Sequence, residues 1–338
     1  MAHGPKSLLI VTDAWRPQVN GVVRTIEQTV IELESEGIEV KLLTPAEFRT
    51  VPMPGYPEIG LSLTLSGPVI ERIERARPEA IHIATEGPLG LIARNYCVRT
   101  GRPFSTAYHT QFPEYLRARL PVPLSLSYRM IRWFHGPSSA VMVGTVDMQR
   151  NLVARGFSNV KLWTKGVDTA LFNPAKRVPL PYGGPVFLYV GRVAVEKNID
   201  AFLKLDLPGT KLVVGDGPSL PQLRQQYPQV TFLGGRYGSE LATLFASADV
   251  FVFPSRTDTF GLVLLEALAS GTPVAAYPVT GPIDVIGDAP VGALDGDLRA
   301  AALRALTIPR EPCRQYADGY SWHQSAGQFL SCQTALEW

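Results

Sequence analysis

The feature that most constrains the fold of this chain is a regular alternation of short apolar runs with helix-like segments. Apolar runs typical of buried strands occupy residues 7–12, 40–43, 80–84, 105–108 and 140–143. A helical segment at about residues 22–35, ended by Gly37, separates the first two, and another at residues 69–75 precedes the third. Strands that alternate with helices favour a parallel, doubly wound sheet.

The same pattern begins again after a segment that neither helix nor sheet can include. Between residues 172 and 186 the chain carries Pro174, Pro179, Pro181 and Pro185, with two adjacent glycines, which indicates a linker. Further strands are predicted at residues 186–190, 211–214, 230–233, 250–253 and 273–276. We therefore expect two α/β domains, residues 1–172 and 173–320.

The composition excludes several classes of protein. A formal net charge of +2 over 338 residues is too small to indicate nucleic-acid binding. Cys97, Cys313 and Cys332 are odd in number and far apart, so neither a disulfide framework nor a zinc site is expected. The first apolar run is too short for a signal peptide, and no run approaches the ~18 apolar residues of a transmembrane helix. We expect a cytoplasmic protein, and contact with a membrane surface stays open.

Two cations follow the first strand of the second domain. Arg192 comes directly after this strand, and Lys197 follows within the same loop. Ligands of open α/β sheets bind at the carboxyl ends of the strands, and a guanidinium and an ammonium there can neutralise a diphosphate. Taken alone, the two residues are better explained as surface cations on a loop.

A later loop of the second domain combines a carboxylate, a glycine and an apolar helix. Asp258 lies in this loop, Gly261 begins the helix, and Glu266 lies within it. Backbone amides at a helix N-terminus favour an anion such as a diphosphate. Asp258 can accept hydrogen bonds from sugar hydroxyls, and a buried Glu266 needs a polar partner such as a ribose diol. The alternative is a capping aspartate and a solvated glutamate.

The segment from residue 258 to 274, together with Arg192 and Lys197, resembles family four of the GT-B glycosyltransferases. Within that family the chain is similar to bacterial diacylglycerol and sulfolipid glycosyltransferases and to GDP-mannose-dependent α-mannosyltransferases. The resemblance implies an α/β GT-B fold: two Rossmann-like domains with parallel sheets facing across a cleft, and a C-terminal helix at about residues 321–338 crossing back to the N-terminal domain. Asp258 stands where the family usually has glutamate, which leaves the donor sugar open.

The resemblance also assigns functions to individual residues. It implies a catalytic set of His109, Arg192, Lys197 and Asp258, in which the strand-end His109 positions the transferred sugar. It implies a donor-binding set in which further residues join Arg192, Lys197 and Asp258. These lie in the loop that resembles the family's Gly-rich loop and around the start of the apolar helix that Gly261 begins: Asn20, Gly21, Val22, Thr259, Phe260, Gly261, Leu262, Val263 and Glu266. No metal or other cofactor is expected, because the family acts without one.

These residues predict a retaining α-glycosyltransferase that moves a hexose, from a UDP-sugar in the favoured version, to a membrane lipid such as diacylglycerol. One alternative is a GDP-mannose-dependent α-mannosyltransferase acting on a lipid or polysaccharide. A nicotinamide oxidoreductase is a second, although the full dinucleotide fingerprint is missing. A non-catalytic sugar-nucleotide binding protein is a third. The expected partners are a nucleotide sugar and a lipid or glycan acceptor, without nucleic acid.

A basic and aromatic stretch lies between residues 115 and 146. Its candidates for membrane or acceptor contact are Arg117, Arg119, Arg129, Arg132 and Trp133. Cationic and aromatic side chains together suit an anionic bilayer, which predicts peripheral contact with the inner face of the cytoplasmic membrane. The alternative is a partly buried helix with a solvated basic face.

Two further motifs favour structural explanations. Asp295 and Asp297 match a metal-binding Asp-x-Asp pattern, but Asp297 directly precedes a predicted helix at residues 298–306 and is expected to cap it. The Gly-Asp-Gly-Pro segment at residues 215–218 is expected to be a tight turn.

Overall fold

The structure is a computed structural model that describes residues 4–18, 20–53, 56–119 and 122–338. It divides into two compact units, one formed by Met1–Lys165 with Trp322–Trp338 and the other by Gly166–Ser321. The expected boundary at residues 172 and 173 lies later than this division. Val167 and Phe172 are buried in the core of the second unit, which is why the chain joins that unit before the proline-rich segment.

The first unit contains a parallel sheet of six described strands in the order β2-β1-β5-β6-β7-β8. Its elements are β1 (Ser7–Val11), α1 (Gly21–Ser35), β2 (Glu39–Leu43), β3 (Arg49–Met53), β4 (Tyr56–Leu63), α2 (Ser66–Ala76), β5 (Ala80–Ile83), α3 (Pro88–Thr100), β6 (Ser105–Ala107), α4 (Phe112–Arg119), α5 (Leu124–His135), β7 (Ala140–Val143), α6 (Val146–Ala154) and β8 (Val160–Leu162). The five predicted strands are confirmed as β1, β2, β5, β6 and β7. The antiparallel pair β3–β4 was not predicted.

The second unit repeats this architecture, with the strand order β11-β10-β9-β12-β13-β14. Its elements are β9 (Val186–Val190), α7 (Ile199–Leu203), β10 (Thr210–Val214), α8 (Leu220–Gln226), β11 (Thr231–Gly234), α9 (Gly238–Ser247), β12 (Val250–Phe253), α10 (Leu262–Ala269), β13 (Val274–Ala276), α11 (Pro282–Val285), β14 (Gly292–Leu294), α12 (Leu298–Ala305) and α13 (Arg310–Ala317). All five predicted strands are confirmed as β9 to β13. Two parallel-sheet, Rossmann-like units are therefore the fold of the chain.

Successive apolar side chains of β1 point to opposite faces of the sheet and enter different cores. Leu9 and Val11 pack with the residues of α2 and α3. Leu8 and Ile10 pack on the other face, with Ile26 of α1. Because both faces are covered, the strand is apolar throughout and not alternating, which is what made it recognisable in the sequence.

The last helix, α14 (Trp322–Ser331), belongs to the first unit although the second unit precedes it in the chain. Phe329 and Ala326 are buried in the same core as Ile26 and Leu8. Trp163 donates its indole hydrogen to Oγ of Ser325 over 3.0 Å. The predicted return of a C-terminal helix to the N-terminal domain is confirmed.

Candidate functional site

Two strand ends of the second unit bring a cation and a carboxylate together. β9 and β12 are neighbours in the sheet, so the loops after them emerge side by side at its carboxyl edge. Lys197, after β9, donates from Nζ to Oδ1 of Asp258, after β12. Their side chains are only 22% and 16% exposed. The structure thus brings together two residues that the sequence predicted for different parts of the donor.

Hydrogen bonds outside this pair hold the two loops to each other. Nδ2 of Asn198 donates to the carbonyl of Pro254 over 3.0 Å, and Oγ1 of Thr257 donates to the carbonyl of Glu196 over 3.3 Å. The loops are therefore fixed in position without a ligand, which keeps a binding arrangement preorganised.

Asp258 has one carboxylate oxygen paired and one not. Oδ1 accepts from Lys197, whereas Oδ2 is buried and has no hydrogen-bond partner among the described residues. A buried acceptor without a donor is costly, at about 1–3 kcal/mol. The site therefore lacks a donor that a ligand hydroxyl can supply.

The helix that follows this loop starts at a glycine for a conformational reason. Gly261 has φ 84°, in the left-handed region, and a side chain there would lie 3.2 Å from atoms of Leu264 and Phe253. The chain turns at this point into α10, whose first amides belong to Leu262 and Val263. Such amides have no earlier helical carbonyl to bond to and are able to bind an anion.

Glu266 lies in the middle of α10 and is only 3% exposed. Its helical neighbours Leu264, Leu265, Ala267 and Leu268 are all buried. The alternative of a solvated glutamate is therefore wrong. Phe260 is also buried, whereas Arg192 and Thr259 are partly exposed near the same edge.

In the first unit, three titratable side chains lie against one indole ring, that of Trp163. Nζ of Lys165 lies 3.1 Å from the centroid of the Trp163 ring. The imidazoles of His109 and His82 meet the same ring edge-on, with centroids 5.6 and 6.1 Å away. His109, the predicted catalytic histidine, thus belongs to a cluster at the carboxyl ends of β6 and β8.

Burial sets the protonation of this cluster. Desolvation lowers the pKa of His109 well below its usual value, and the charges of Lys165, His82 and His135 lower it further. Burial also lowers the pKa of Lys165 well below its usual range and that of His82 to about 3. His109 is therefore neutral at physiological pH, able to accept or donate one hydrogen bond but not to carry charge.

The loop predicted to bind donor phosphate contains a helix cap. Oδ1 of Asn20 accepts from the amides of Val22 and Val23 over 2.9 and 3.0 Å. Gly21 is the first residue of α1 and has no left-handed φ. The Asn20 oxygen and the Val22 amide are therefore engaged with each other, a capping function that the sequence did not predict. Val19, in the same loop, lies outside the described residues.

A second cap, also unpredicted, is made by Asp13. Its carboxylate accepts from the amides of Leu89 and Gly90, over 2.9 and 3.1 Å, and from the hydroxyl of Thr85 over 3.0 Å. Burial raises its pKa, against the lowering effect of these hydrogen bonds. The only sequence signal was its position directly after β1.

The basic and aromatic stretch forms α4 and α5. Along α5, Leu126, Met130 and Trp133 form an exposed apolar stripe, with exposed Arg129 and Arg132 beside it. The opposite face is buried. Arg117 on α4 is exposed as well, and the side chain of Arg119 lies outside the described residues. α5 is therefore a partly buried helix, as the alternative expects, and its exposed side carries an apolar stripe beside the basic residues.

The two motifs expected to be structural are so. Oδ1 of Asp297 accepts from two amides of the first turn of α12, and Asp295 pairs with Arg304 over 2.7 Å. The pKa of Asp295 is lowered, first by the hydrogen bond that its carboxylate accepts from the amide of Asp297 and then by Arg304. Of the predicted tight turn at residues 215–218, only Pro218 lies in a turn, and the Asp216 carboxylate accepts from the amide of Gly235 over 2.9 Å. Both carboxylate motifs stabilise local structure.

Two Rossmann-like parallel-sheet units, with a cation–carboxylate pair beside a helix N-terminus in the second, define a glycosyltransferase of the GT-B class. Residues 19–171 match the family described as Glycosyltransferase Family 4, and residues 184–307 match Glycosyl transferases group 1. The chain belongs to this glycosyltransferase family and is a hexosyltransferase.

Similarity to curated relatives and to solved structures extends over most of the chain. A GDP-mannose-dependent α-mannosyltransferase of Mycobacterium tuberculosis is 30% identical over 82% of this chain and 80% of its own. An α-monoglucosyldiacylglycerol synthase of Streptococcus pneumoniae is 27% identical over 88% of this chain and 77% of its own. The fold is similar to that of Anabaena Alr3699/HepE in complex with UDP and glucose, with a TM-score of 0.70, 17% identity and coverage of 97% and 99%.

Proposed function

We propose that this chain is a retaining α-glycosyltransferase that moves a hexose from a UDP-sugar to a membrane-lipid acceptor such as diacylglycerol, without a metal ion. The observation that carries the proposal is the geometry of Asp258. Lys197 donates to one of its oxygens, and the other, in the loop before α10, is buried without a donor among the described residues. A hydroxyl of the transferred sugar is the donor that completes this carboxylate.

The other groups of the proposed site bind the leaving nucleoside diphosphate. Negative charge develops on the diphosphate as the glycosidic bond breaks, and fixed cations and amides stabilise it. Arg192, Lys197 and the first amides of α10 supply these, while the buried Glu266 accepts from the ribose hydroxyls. His109, which burial keeps neutral, is the residue of the first unit that the family resemblance assigns to the transferred sugar.

We propose retention of configuration because the family resemblance implies it, and we propose attack on the same face of the sugar because no side chain of the set is suited to act as a covalent nucleophile. Asp258 is bound to Lys197, and Glu266 is buried within α10. In the proposed reaction, an oxygen of the departing phosphate takes the proton of the acceptor hydroxyl. The acceptor then attacks from the face that the leaving group vacates, so the α configuration is kept.

The exposed stripe of α5 supports a lipid acceptor. Trp133 is 53% exposed, yet its indole is held by stacking against the guanidinium of Arg94 at 3.9 Å. Leu126 and Met130 lie on the same side. Arg129, Arg132 and Arg155 line the adjoining surface concavity. We propose that this face of α5 makes peripheral contact with anionic lipid at the inner face of the cytoplasmic membrane. No helix of the described residues is long and apolar enough to cross a bilayer.

A GDP-mannose donor is the second candidate, favoured by the 30% identity to the mycobacterial mannosyltransferase. Thermal shifts with UDP and GDP distinguish the two bases. Lipid-product analysis with UDP-glucose and GDP-mannose then tests transfer to diacylglycerol, and the anomeric configuration of the product tests retention. Stabilisation by UDP with an α-glucosyl lipid supports the favoured version. Binding of a nucleotide sugar without its consumption would indicate a binding protein instead.

A further inference from the structure

An unassigned carboxylate lies in the first unit where the central strand of its sheet ends. Glu86 follows β5, between the loop after β1, which carries Asp13, and the loop after β6, which carries His109. Its side chain is 29% exposed. The carboxyl ends of the central strands are where open α/β sheets bind ligands.

A buried histidine supports this carboxylate from behind. Nε2 of His135 lies 3.1 Å from Oε1 of Glu86, and the imidazole is only 1% exposed. Nδ1 of the same ring lies 2.9 Å from the hydroxyl of Thr106. Both ring nitrogens therefore have partners, and the ring cannot turn without breaking both bonds. The exposed member of the pair is the carboxylate and the buried member only orients it.

The backbone that carries Glu86 is fixed as firmly as its side chain. On one side, the hydroxyl of Thr85 bonds to the carboxylate of Asp13 over 3.0 Å. On the other, Gly87 approaches Asp13 so closely that an added Cβ would lie 2.3 Å from its Cγ. A rigid, partly exposed carboxylate at a ligand-binding edge is a preorganised hydrogen-bond acceptor.

We propose that Glu86 binds a hydroxyl group of the acceptor substrate, and that His135 is the residue that positions it. The inference rests on the proposed function, which requires an acceptor hydroxyl. The inference adds that the first unit binds this hydroxyl. The chemical class of the ligand follows from the group: an ionised carboxylate only accepts hydrogen bonds, and an acceptor alcohol presents an O–H donor. The ring of His135 meets edge-on the ring of Tyr108, the residue before His109, with centroids 6.3 Å apart.

The test uses the full chain, a nucleotide sugar that the wild type consumes, and 1,2-dioctanoylglycerol as a hydroxyl-bearing probe. Each turnover either hydrolyses the donor or glycosylates the probe, and the ratio of the two products does not depend on the amount of active enzyme. We expect Glu86→Gln to lower the ratio of transfer to hydrolysis by about tenfold or more at low probe concentration, since hydrogen bonds to charged groups contribute strongly.

The positioning residue and the control have distinct expected outcomes. His135→Gln is expected to lower the same ratio, because Glu86 loses its support. Glu71→Gln is the matched control, since Glu71 is exposed and pairs with Arg75 on the same helix; it should leave the ratio as in the wild type. An unchanged ratio in a folded Glu86→Gln protein would overturn the proposal.

A second readout is independent of turnover. In protein labelled with ¹⁵N-histidine, the Nε2 resonance of His135, assigned by its loss in His135→Gln, is followed while the probe is added. We expect it to move in the wild type and to stay fixed in Glu86→Gln. A resonance that does not move at saturating probe overturns the assignment of Glu86. A wild type that consumes no nucleotide sugar contradicts the proposed function instead, and the titration still decides Glu86.

Discussion

Lys197 and Asp258 are 61 positions apart in the chain, and the lysine ammonium donates directly to Oδ1 of the aspartate. The contact exists because β9 and β12 are adjacent in the second sheet although β10 and β11 lie between them in sequence. It brings together the cation proposed to bind the diphosphate and the carboxylate proposed to bind the sugar, and the account of donor binding depends on it.

Replacement of Asp258 tests the proposed sugar contact. Asp258→Asn keeps the shape but removes the charge that Lys197 pairs with, and we expect the kcat/KM for the donor to fall by about 100-fold. Asp258→Glu restores the charge on a longer arm, as is usual in the family, and should change the preference among UDP-hexoses more than the total rate. Steady-state kinetics with a panel of donors measures both. Equal kcat/KM in Asp258→Asn would contradict a contact with the sugar.

The sequence predicted structure where the signal lies in neighbouring residues of the chain. The strands β9, β12 and β13 were recognised because they are buried and apolar throughout. The pair β3–β4 was missed because Arg49–Met53 includes a proline and an arginine and has four exposed residues, 49–52, without a buried apolar run.

Contacts between distant residues could not be predicted in the same way. The Glu86–His135 bond joins residues 49 apart, and no spacing rule relates a strand end to the last residue of a later helix. The same limit applies to Lys165, whose burial depends on where Trp163 packs. The cap made by Asn20 could have been predicted, because asparagine before a helix is a common N-cap. The resemblance to the family's Gly-rich loop instead led us to assign Asn20 to donor binding.

Asn20→Ala distinguishes the two functions assigned to that loop. As a cap, Asn20 contributes about 1 kcal/mol to the free energy of unfolding, so we expect a loss of that size in urea denaturation. The Asn20 oxygen is bound to the amides of Val22 and Val23, so the KM for the donor should change less than twofold, well below the effect of a lost phosphate contact. A large rise in KM with unchanged stability would restore the phosphate-binding assignment.

The buried His82 makes stability depend on pH in a defined direction. Burial lowers its pKa from 6.5 to about 3, so below about pH 6.5 the unfolded chain takes up a proton that the folded chain does not. The stabilising effect of the neutral ring is complete above pH 6.5 and is lost as the pH falls towards 3.

His82→Gln removes this titration. We expect its free energy of unfolding to fall less steeply between pH 6.5 and 4 than that of the wild type, by up to ~1.4 kcal/mol per pH unit. Urea denaturation at several pH values measures the two slopes. The wild type should still be the more stable protein at pH 7, where His82 bonds to Ser105 and packs edge-on against Phe329. Parallel slopes would mean that His82 is protonated in the folded protein.

Trp133→Ala tests the contact of α5 with membranes. The indole is exposed and held against Arg94, so its loss should weaken binding to vesicles containing phosphatidylglycerol by about tenfold. Ile31→Ser is the control, because Ile31 is similarly exposed, at 55%, but lies on α1. Vesicle sedimentation at low and high salt measures both variants. Equal loss in the two would assign the effect to general surface hydrophobicity.

The central claim is that Lys197, paired with Asp258, stabilises the departing nucleotide without a metal ion. The direct measurement is the rate of nucleoside diphosphate release by Lys197→Met in the presence of EDTA, beside the wild type and Lys176→Met. Lys176 is a control because it is a lysine of the same unit whose ammonium bonds to the hydroxyl of Ser239. We predict that wild type and Lys176→Met keep their rates in EDTA, while Lys197→Met is slower by about 100-fold or more. Near-normal release by Lys197→Met, or loss of wild-type activity in EDTA, would contradict the account.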